Sequence, residues 1–417
     1  MIENNYEETL SDEKGFIKKI AMLFQNESLS DIQLKVGETK YFAHKFILSA
    51  SSDVLSRMFD NKWKLGSTQN PGQSEMIVLE ENAECQKSFF YFLKFLYAGE
   101  IVFTNDRVVG LLCLADKYNV ESLRNLATEY MKRNSVSPHL MNSLKWYSWV
   151  KMLDCKEIVK NCWITICSNF QKLLYLPDIF NALDIDFLCE ILESSSIVVD
   201  KEFTIYELCK MWLYSDDHFV DFEVNAKKLL PLIRFSMMTP VNLFEIEEQN
   251  DFSDNPKIKK VLRALITKAH RYRSLCLFNG SISETFDSAC YQPRNYLNLV
   301  VDRFNNKIAN RFSNSLDKKA IKTPYFSNDY SDWKLTYRKM AEKLVVTFRV
   351  VDAAGFYLGL KFQFVLIAIN GNDEVLNVAQ TAPLSYNNVV QESLELDFLG
   401  NENSINHILV LIKVLIN

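Results

Sequence analysis

The spacing of hydrophobic residues changes twice along the chain and divides it into three segments. Residues 1–133 mix short alternating stretches with stretches of helical spacing, residues 134–270 have almost only helical spacing, and residues 275–417 return to alternation. Apolar residues at every third or fourth position are typical of a helix, and strict alternation is typical of a strand. The sequence therefore predicts a multidomain α+β protein with an α/β domain, an all-helical domain and a C-terminal antiparallel β-sandwich.

In the first segment, a predicted hairpin is followed by helices. DIQLKV (31–36) and TKYFAH (39–44) flank Gly37-Glu38, a pair typical of a tight turn between strands. FILSASSDVLSRMF has the spacing of one helix, and MIVLEE (76–81) has that of a short strand. Two amphipathic helices are predicted after it, and the second has one apolar face made of Leu123, Leu126, Ala127 and Tyr130.

The second segment is predicted to be helical throughout, with Pro177 and Pro240 among the residues that mark helix starts. In the third segment KLVVTFRVV and YLGLKFQFVLIA alternate, which is typical of strands that are buried on one face. The predicted core positions of the second of these strands are Leu358, Leu360, Phe362 and Phe364. The last stretch, INHILVLIKVLIN, is almost continuously apolar and predicts a strand that is buried on both faces.

Composition and charge narrow the class of protein. The chain has 417 residues, is 48% hydrophobic and carries a formal net charge of −5, which argues against a nucleic-acid binder that relies on bulk positive charge. No apolar run has the length of a signal peptide core or a membrane span, so we expect a cytoplasmic protein without a membrane partner. The nine cysteines are scattered and are interpreted as reduced thiols.

The sequence lacks the short motifs of common enzyme classes. It has no G-x-S-x-G, H-E-x-x-H or C-x-x-C pattern, and its glycines do not form a phosphate-binding loop. His44 beside Lys45 has the chemistry of an acid–base pair, but no second His, Asp or Cys stands at ligand spacing. We therefore expect a protein that is not an enzyme and that binds no cofactor or metal.

Several stretches together resemble known domain families. SDIQLKVGETKYFAHKFILSASSDVLSRMF, IVLEE, FFYFLKFLYAGEI and LADKYNVESLRNLATEYM resemble the BTB/POZ domain, in the family's order and over about 110 residues. FLCEILESSSIVVDKEFTIYELCKMWL and LLPLIRFSMMTP resemble the BACK domain, which follows BTB in many adaptor proteins. The third segment is similar to the TRAF-like (MATH-like) β-sandwich in its position and strand content.

The resemblance implies a homodimer. In BTB domains an Asp on the first strand and a basic residue after the His lie near each other at the dimer surface, and these positions are Asp31 and Lys45 here. A half-buried Lys needs a carboxylate partner, because an unpaired buried charge is very unfavourable. The N-terminal helix is apolar enough to join this surface. The predicted interface residues are Phe16, Ile20, Phe24, Asp31 and Lys45.

The resemblance also implies a role in ubiquitin ligation. In that family the BTB domain docks a cullin, the BACK domain extends the docking groove, and the last domain captures a protein substrate, which the sequence does not identify. The docking residues map to Asp53, Val54, Met58, Phe59, Trp63 and Tyr147. Trp63-Lys64-Leu65 departs from the family's pattern of an apolar residue, any residue and Glu, because Leu65 occupies the acidic position.

The leading interpretation is a dimeric, non-enzymatic substrate adaptor of a cullin-RING ubiquitin ligase. The apolar Leu65 favours an alternative, a dimeric BTB–BACK scaffold that binds no cullin. A third interpretation is a secreted BTB–BACK glycoprotein of the galectin-3-binding type, and the expected lack of a signal peptide argues against it.

Overall fold

The fold is described from a computed structural model. The described residues are 13–60, 75–135, 140–249, 251–277, 288–297, 309–313, 321–322, 331–339, 343–352, 361–370, 375–385, 389–397 and 405–415. The chain separates into two compact units. The first unit comprises residues 1–136 and 141–162, and the second comprises residues 137–140 and 163–417.

The first unit contains a three-stranded sheet with the strand order β2-β1-β3. Strands β1 (Ile32–Val36) and β2 (Thr39–Ala43) are antiparallel, and β3 (Glu75–Leu79) is parallel to β1. Gly37 has φ +57° in the turn between β1 and β2, a conformation that glycine adopts without a steric penalty. The predicted hairpin and the predicted short strand are both confirmed.

The predicted single helix after the hairpin is two helices. Ser52 has an extended backbone (φ −153°, ψ 118°) and separates α2 (Lys45–Ser51) from α3 (Asp53–Phe59). Its hydroxyl accepts a hydrogen bond from the backbone N–H of Leu55 at 3.1 Å, which caps α3, and donates to the carbonyl oxygen of Tyr118 at 2.6 Å. A buried serine with two partners therefore interrupts the helix.

Helix α1 (Glu13–Ala21) precedes the sheet, and three helices rather than the predicted two follow it. The three helices are α4 (Ala83–Ala98), α5 (Val108–Lys117) and α6 (Glu121–Asn134). On α6 the buried side chains are Leu123, Ala127 and Met131, whereas Leu126 is 41% exposed. The predicted apolar face of α6 was therefore wrong at Leu126, and the buried positions repeat every four residues.

The middle of the chain is almost entirely helical, as predicted. Its helices are α7 (Leu140–Met152), α8 (Lys156–Ser168), α9 (Pro177–Asn181), α10 (Ile185–Glu193), α11 (Glu202–Leu213), α12 (Phe222–Leu229), α13 (Pro240–Glu248) and α14 (Pro256–Leu277). Pro177 and Pro240 each begin a helix, where the missing N–H removes no hydrogen bond. A short strand, β4 (Val198–Val199), interrupts the helices and pairs in parallel with β5 (Asn295–Tyr296).

The C-terminal region consists of strands in two antiparallel sheets. One has the order β11-β10-β14-β6, with β12 also paired to β10, and the other has the order β13-β9-β8-β7. The strands are β6 (Ala309–Ser313), β7 (Ile321–Lys322), β8 (Ser331–Lys339), β9 (Lys343–Asp352), β10 (Lys361–Asn370), β11 (Val375–Gln380), β12 (Leu384–Ser385), β13 (Val389–Asp397) and β14 (Ile405–Leu415). The Phe348 ring of β9 stacks on Phe364 of β10 with ring centroids 4.2 Å apart, so the two sheets contact each other.

Strand β10 is buried on both faces between residues 364 and 369, whereas its sequence predicted one buried face. Phe364 faces the other sheet, and Val365, Ile367 and Ile369 pack in a cluster with Val198 of β4. Strand β14 is also buried on both faces at residues 408–411, which confirms the prediction from its apolar run. Leu358 and Leu360 and the Phe362 side chain lie outside the described residues. The TRAF-like type of the sheets stays a prediction.

A buried polar cluster also joins the helices of the second unit to the sheets. Glu202 at the start of α11 lies between Arg294, just before β5, and the backbone N–H of Arg234, which donates to it at 2.8 Å. The hydroxyl of Tyr296 donates to the same carboxylate at 2.7 Å. Lys413 of β14 is 2% exposed, and its ammonium group lies 3.4 Å from the carbonyl oxygen of Ser195. We call Glu202, Arg234, Arg294, Tyr296 and Lys413 the arginine–glutamate cluster.

Candidate protein-interaction sites

The first candidate surface surrounds the contact between α1 and α4. The Phe24 ring lies edge-on to Phe90 of α4, with centroids 5.2 Å apart, and to Tyr97, with centroids 5.7 Å apart. Ile20 and Phe24 are half-buried, and Ile17, Met22 and Phe90 remain exposed. The Phe16 side chain lies outside the described residues. Exposed apolar side chains beside half-buried ones are typical of a surface that another protein covers.

Asp31 contacts Lys45 through the protein backbone. Its carboxylate accepts a hydrogen bond from the backbone N–H of Lys45, the first residue of α2, at 2.8 Å. His44 precedes α2 but its side chain forms no capping bond, so Asp31, which immediately precedes β1, supplies the cap. The sequence analysis predicted a pair between the side chains of Asp31 and Lys45, and that pair stays a prediction. Asp31 is exposed and Lys45 is half-buried in the single chain.

His44 is fixed by a tyrosine hydroxyl. The backbone N–H of His44 donates to the hydroxyl oxygen of Tyr97 at 2.9 Å, and its Nδ1 atom lies 2.9 Å from the same oxygen. Burial raises the pKa of Tyr97 to about 12, so the phenol keeps its proton at neutral pH and can donate it to Nδ1. This geometry holds the strand-to-helix junction in place. Within the described ranges, no three His, Cys, Asp or Glu side chains are grouped as metal ligands.

The second candidate surface lies on α3. Asp53 and Met58 are exposed, and Val54 and Phe59 are half-buried. Trp63 lies outside the described residues, as does Leu65. We call Asp53, Val54, Met58 and Phe59 the α3 face. Arg57, one turn after Asp53, is also exposed, so this helix presents both charges beside its apolar side chains.

Tyr147 is not available on this surface. Its side chain is 5% exposed on α7, and the ammonium group of Lys151 lies 5.4 Å from its ring centroid. The expectation that Tyr147 contacts a partner is therefore corrected, because a buried ring stabilises its own domain. Sequence reasoning also missed Phe46, which is 80% exposed beside Lys45 at the start of α2. Its signal was available, since Ile47 and Leu48 form the buried side of that helix.

Two domain families match this chain. Residues 20–135 match the BTB/POZ domain, and residues 143–248 match the family described as "BTB And C-terminal Kelch", or BACK. Together the two matches span just over half of the chain, and they fall where the sheet with its surrounding helices and the long helical region lie. The chain therefore contains a BTB/POZ domain followed by a BACK domain.

About two thirds of the chain is homologous to particular proteins. BTB/POZ domain-containing protein 17 of Xenopus laevis is 24% identical over 288 residues, which cover 67% of this chain and 57% of that protein. The human protein of that name is 21% identical over 295 residues, which cover 69% of this chain and 58% of that protein. Human kelch-like protein 7 is 24% identical over 251 residues, which cover 60% of this chain and 40% of that protein. The matched region is thus little more than half of the two BTB/POZ domain-containing 17 proteins and less than half of kelch-like protein 7.

Among solved structures, the BTB domain of zebrafish PATZ1 is 22% identical and is matched over 98% of its length and 30% of this chain, with a TM-score of 0.25. The BTB domain of human gigaxonin is 19% identical and is matched over 99% of its length, again with a TM-score of 0.25. Among the described helices of the present chain, none combines the length and the apolar character needed to cross a membrane.

Proposed function

We propose that this protein is a non-enzymatic, homodimeric adaptor that docks a cullin on its α3 face and captures a protein substrate with its C-terminal sheets. The observation that carries the proposal is the succession of a BTB/POZ domain and a BACK domain in one chain. The three-part division at residues 1–133, 134–270 and 275–417 and a cytoplasmic location belong to the same proposal. A dimer would present two capture domains and raise the effective concentration of the second one.

The apolar surface around α1 and α4 supports the homodimer. Met22 is 79% exposed on this surface, and Phe46 is 80% exposed on α2 beside the predicted interface residue Lys45; a second copy that covers both would remove them from water. We expect light scattering to give twice the mass of the chain at micromolar concentration. Replacing Phe46 by Glu should weaken the dimer, whereas replacing Val102, which is 73% exposed elsewhere on the first unit, should leave it unchanged. A monomeric wild-type protein would refute this part of the proposal.

The α3 face supports cullin docking, because it presents Met58 and Asp53 beside half-buried Val54 and Phe59. The test is a calorimetric titration of the full chain with the N-terminal domain of a cullin. We expect binding by the wild type and at least tenfold weaker binding by Met58→Glu, because a carboxylate would be buried against an apolar partner. Leu126→Glu is the matched control, since Leu126 is similarly exposed but lies on α6.

A second function has one observation in its favour. Leu65 stands where the family's docking pattern has an acidic residue, which supports a dimeric BTB–BACK scaffold without cullin affinity. The two functions differ in what the protein carries in cells. Affinity purification followed by mass spectrometry should recover cullin and RING subunits with an adaptor, whereas a scaffold should recover other partners and no ligase subunits.

A further inference from the structure

A pocket of about 300 Å³ lies in the first unit, where the residues after β3 meet α4 and α5 and the end of α7. Its lining includes Glu81, Cys85, Cys113, Lys117 and Leu153. Two thiols therefore line one pocket together with one ammonium group and three carboxylates, those of Glu80, Glu81 and Asp116. The family resemblance does not account for this combination.

A close helix crossing brings the two cysteines together. Gly110 lies where α5 crosses α4, and a side chain in its place would collide with the carbonyl oxygen of Glu84. The missing side chain allows the helices to approach, and the Sγ atom of Cys85 lies 3.9 Å from the carbonyl oxygen of Gly110. Cys113 follows one turn later on α5, and its thiol forms a hydrogen bond with the thiol of Cys85. The sulfur atoms are thus neighbours before any reaction.

The two thiols differ in their chemistry. The hydrogen bond from Cys113 is the main cause that lowers the pKa of Cys85, and Lys117 contributes in the same direction. The same hydrogen bond and burial raise the pKa of Cys113. Lys117 is held at the pocket by hydrogen bonds to the carbonyl oxygen of Glu80 and to the carboxylate of Glu81, both at 2.9 Å. Cys85 is therefore the better nucleophile, and Cys113 is the neighbouring thiol that can react second.

We propose that Cys85 and Cys113 form a modification site, at which a small hydroperoxide that enters the pocket oxidises the pair to an intrachain disulfide. The Cys85 sulfur attacks one peroxide oxygen, so that an S–O bond forms, the O–O bond breaks and, for hydrogen peroxide, water leaves. The Cys113 sulfur then attacks the Cys85 sulfur, an S–S bond forms, the S–O bond breaks and a second water leaves. The two thiols supply the two electrons that reduce the peroxide.

Cysteines elsewhere in the chain provide internal controls. Cys162 is 0% exposed and Cys209 is 1% exposed. Burial raises the pKa of both thiols, to about 12 for Cys162. Cys155 is a stricter control because it is only partly buried, and its Sγ atom lies 3.7 Å from the carbonyl oxygen of Leu153 at the edge of the same pocket. If nearness to the pocket were enough to make a thiol react, Cys155 should be oxidised as well.

The test treats the reduced full chain with hydrogen peroxide, blocks free thiols with N-ethylmaleimide and maps tryptic peptides by mass spectrometry without reduction. Trypsin places Cys85, Cys113 and Cys155 on separate peptides, at residues 65–87, 108–117 and 152–156. We expect a cross-linked pair of the first two peptides, formed at least about tenfold faster than the loss of the free peptide 161–172, which holds the buried Cys162 and Cys167. Dithiothreitol should restore both free peptides.

Two variants test the order of the steps. In Cys113→Ser the cross-link should be absent and Cys85 should stop at the sulfenic acid, which dimedone traps, whereas Cys162→Ser should form the cross-link at the wild-type rate. Thermal unfolding checks that each variant is folded. If a serine variant is not folded, the peptide map of the oxidised wild-type protein alone tests whether Cys85 and Cys113 form the disulfide. A cross-link of Cys113 to Cys155, or oxidation of Cys155 while the peptides of Cys85 and Cys113 stay free, would overturn the proposal.

Discussion

Arg294 and Glu202 form an ion pair that is fully buried, with Nε of the arginine 3.1 Å from Oε2 of the glutamate and 0% exposure of both side chains. The guanidinium group also donates to the carbonyl oxygen of Leu232 at 3.0 Å and to that of Ser194. The pair connects α11 to the segment that enters β5. One carboxylate thus organises the point at which helices and strands of the second unit meet.

Removing the carboxylate should destabilise the second unit strongly. Glu202→Gln would leave Arg294 buried without an ionic partner beside the buried Arg234. We expect the free energy of unfolding to fall by about 3–5 kcal/mol. Urea denaturation of the full chain measures this difference. Glu395→Gln is the control, since its pair with Lys343 at 3.0 Å is roughly half exposed and should contribute less than about 1 kcal/mol. Equal losses in the two variants would contradict the buried pair.

Lys413 should make the stability of the second unit depend on pH. Burial, together with the charges of Arg234 and Arg294, lowers the pKa of Lys413 from 10.5 to about 7. Between these values the unfolded chain holds the proton and the native chain does not, so stability should rise as pH rises from 7. The expected slope from this group is about 1.4 kcal/mol per pH unit. Below pH 7 both states are protonated and the contribution becomes constant.

The matched measurement compares the wild type with Lys413→Met between pH 7 and 8.5. The variant should be more stable at pH 7, and the difference between the two proteins should shrink towards pH 8.5, because the native wild type loses the buried charge. Taking the difference removes the titration of groups that both proteins share. Lys343→Met, at a position that is half exposed, should show no such trend. A constant difference for Lys413→Met would rule out this titration.

The sequence predicted local structure well where neighbouring residues determine it. Gly37 and the alternation of Ile32, Leu34 and Val36 were sufficient for the hairpin, since both depend on short-range geometry. The arginine–glutamate cluster was not predictable in this way. Arg294 and Glu202 are separated by 92 positions, and no periodicity records which distant helix a charged residue will meet. The burial of Val365 on the second face of β10 depends likewise on Val198.

The candidate sites also combine features that the sequence predicts with features that depend on distant contacts. The residues of the α3 face came from the family resemblance; Asp53 and Met58 are exposed, and their role in docking stays a prediction. Tyr147 also came from the family resemblance, which does not determine which side of a helix faces the interior, and the ring is buried. The pocket with Cys85 and Cys113 depends on the approach of two helices at Gly110, which a pattern of single residues does not reveal.

The contact between the two sheets can be tested at Phe364. Its side chain is 0% exposed and stacks on Phe348, so Phe364→Ala should reduce the free energy of unfolding by about 3–5 kcal/mol through lost burial and the cavity that remains. Thr347 precedes Phe348 on the same strand and its side chain points to the opposite face. Thr347→Ala should therefore change the free energy of unfolding by less than about 1 kcal/mol. Denaturant titration compares the two variants. Similar losses would mean that the register of β9 is different.

Asp31 should stabilise the first unit as a helix cap. Asp31→Ala removes the acceptor for the backbone N–H of Lys45, and we expect a loss of about 1–2 kcal/mol, the range of other caps. Asp31→Asn keeps an acceptor oxygen and should recover most of that loss. Thermal unfolding measures the stability of both variants, at a protein concentration at which any dimer stays intact. A much larger loss for both variants would instead point to a buried charge pair between Asp31 and the Lys45 side chain.

The docking hypothesis makes its sharpest prediction at Trp63 and Leu65, which follow the α3 face in the sequence. A tryptophan buries a large apolar area with few rotamers to restrict, so Trp63→Ala should weaken cullin binding by about 2 kcal/mol, roughly thirtyfold in dissociation constant, without dissolving the dimer. Leu65→Glu restores the family's acidic position and should strengthen binding. Calorimetric titration of the full chain with the N-terminal domain of a cullin measures the affinities of the wild type and both variants.

Binding by Leu65→Glu alone would identify a scaffold that lacks cullin affinity, and binding by none of the three proteins would exclude the adaptor. Tight binding that Trp63→Ala leaves unchanged would move the docking site to another surface, because a central aromatic residue cannot be lost from a small interface without a measurable change in affinity.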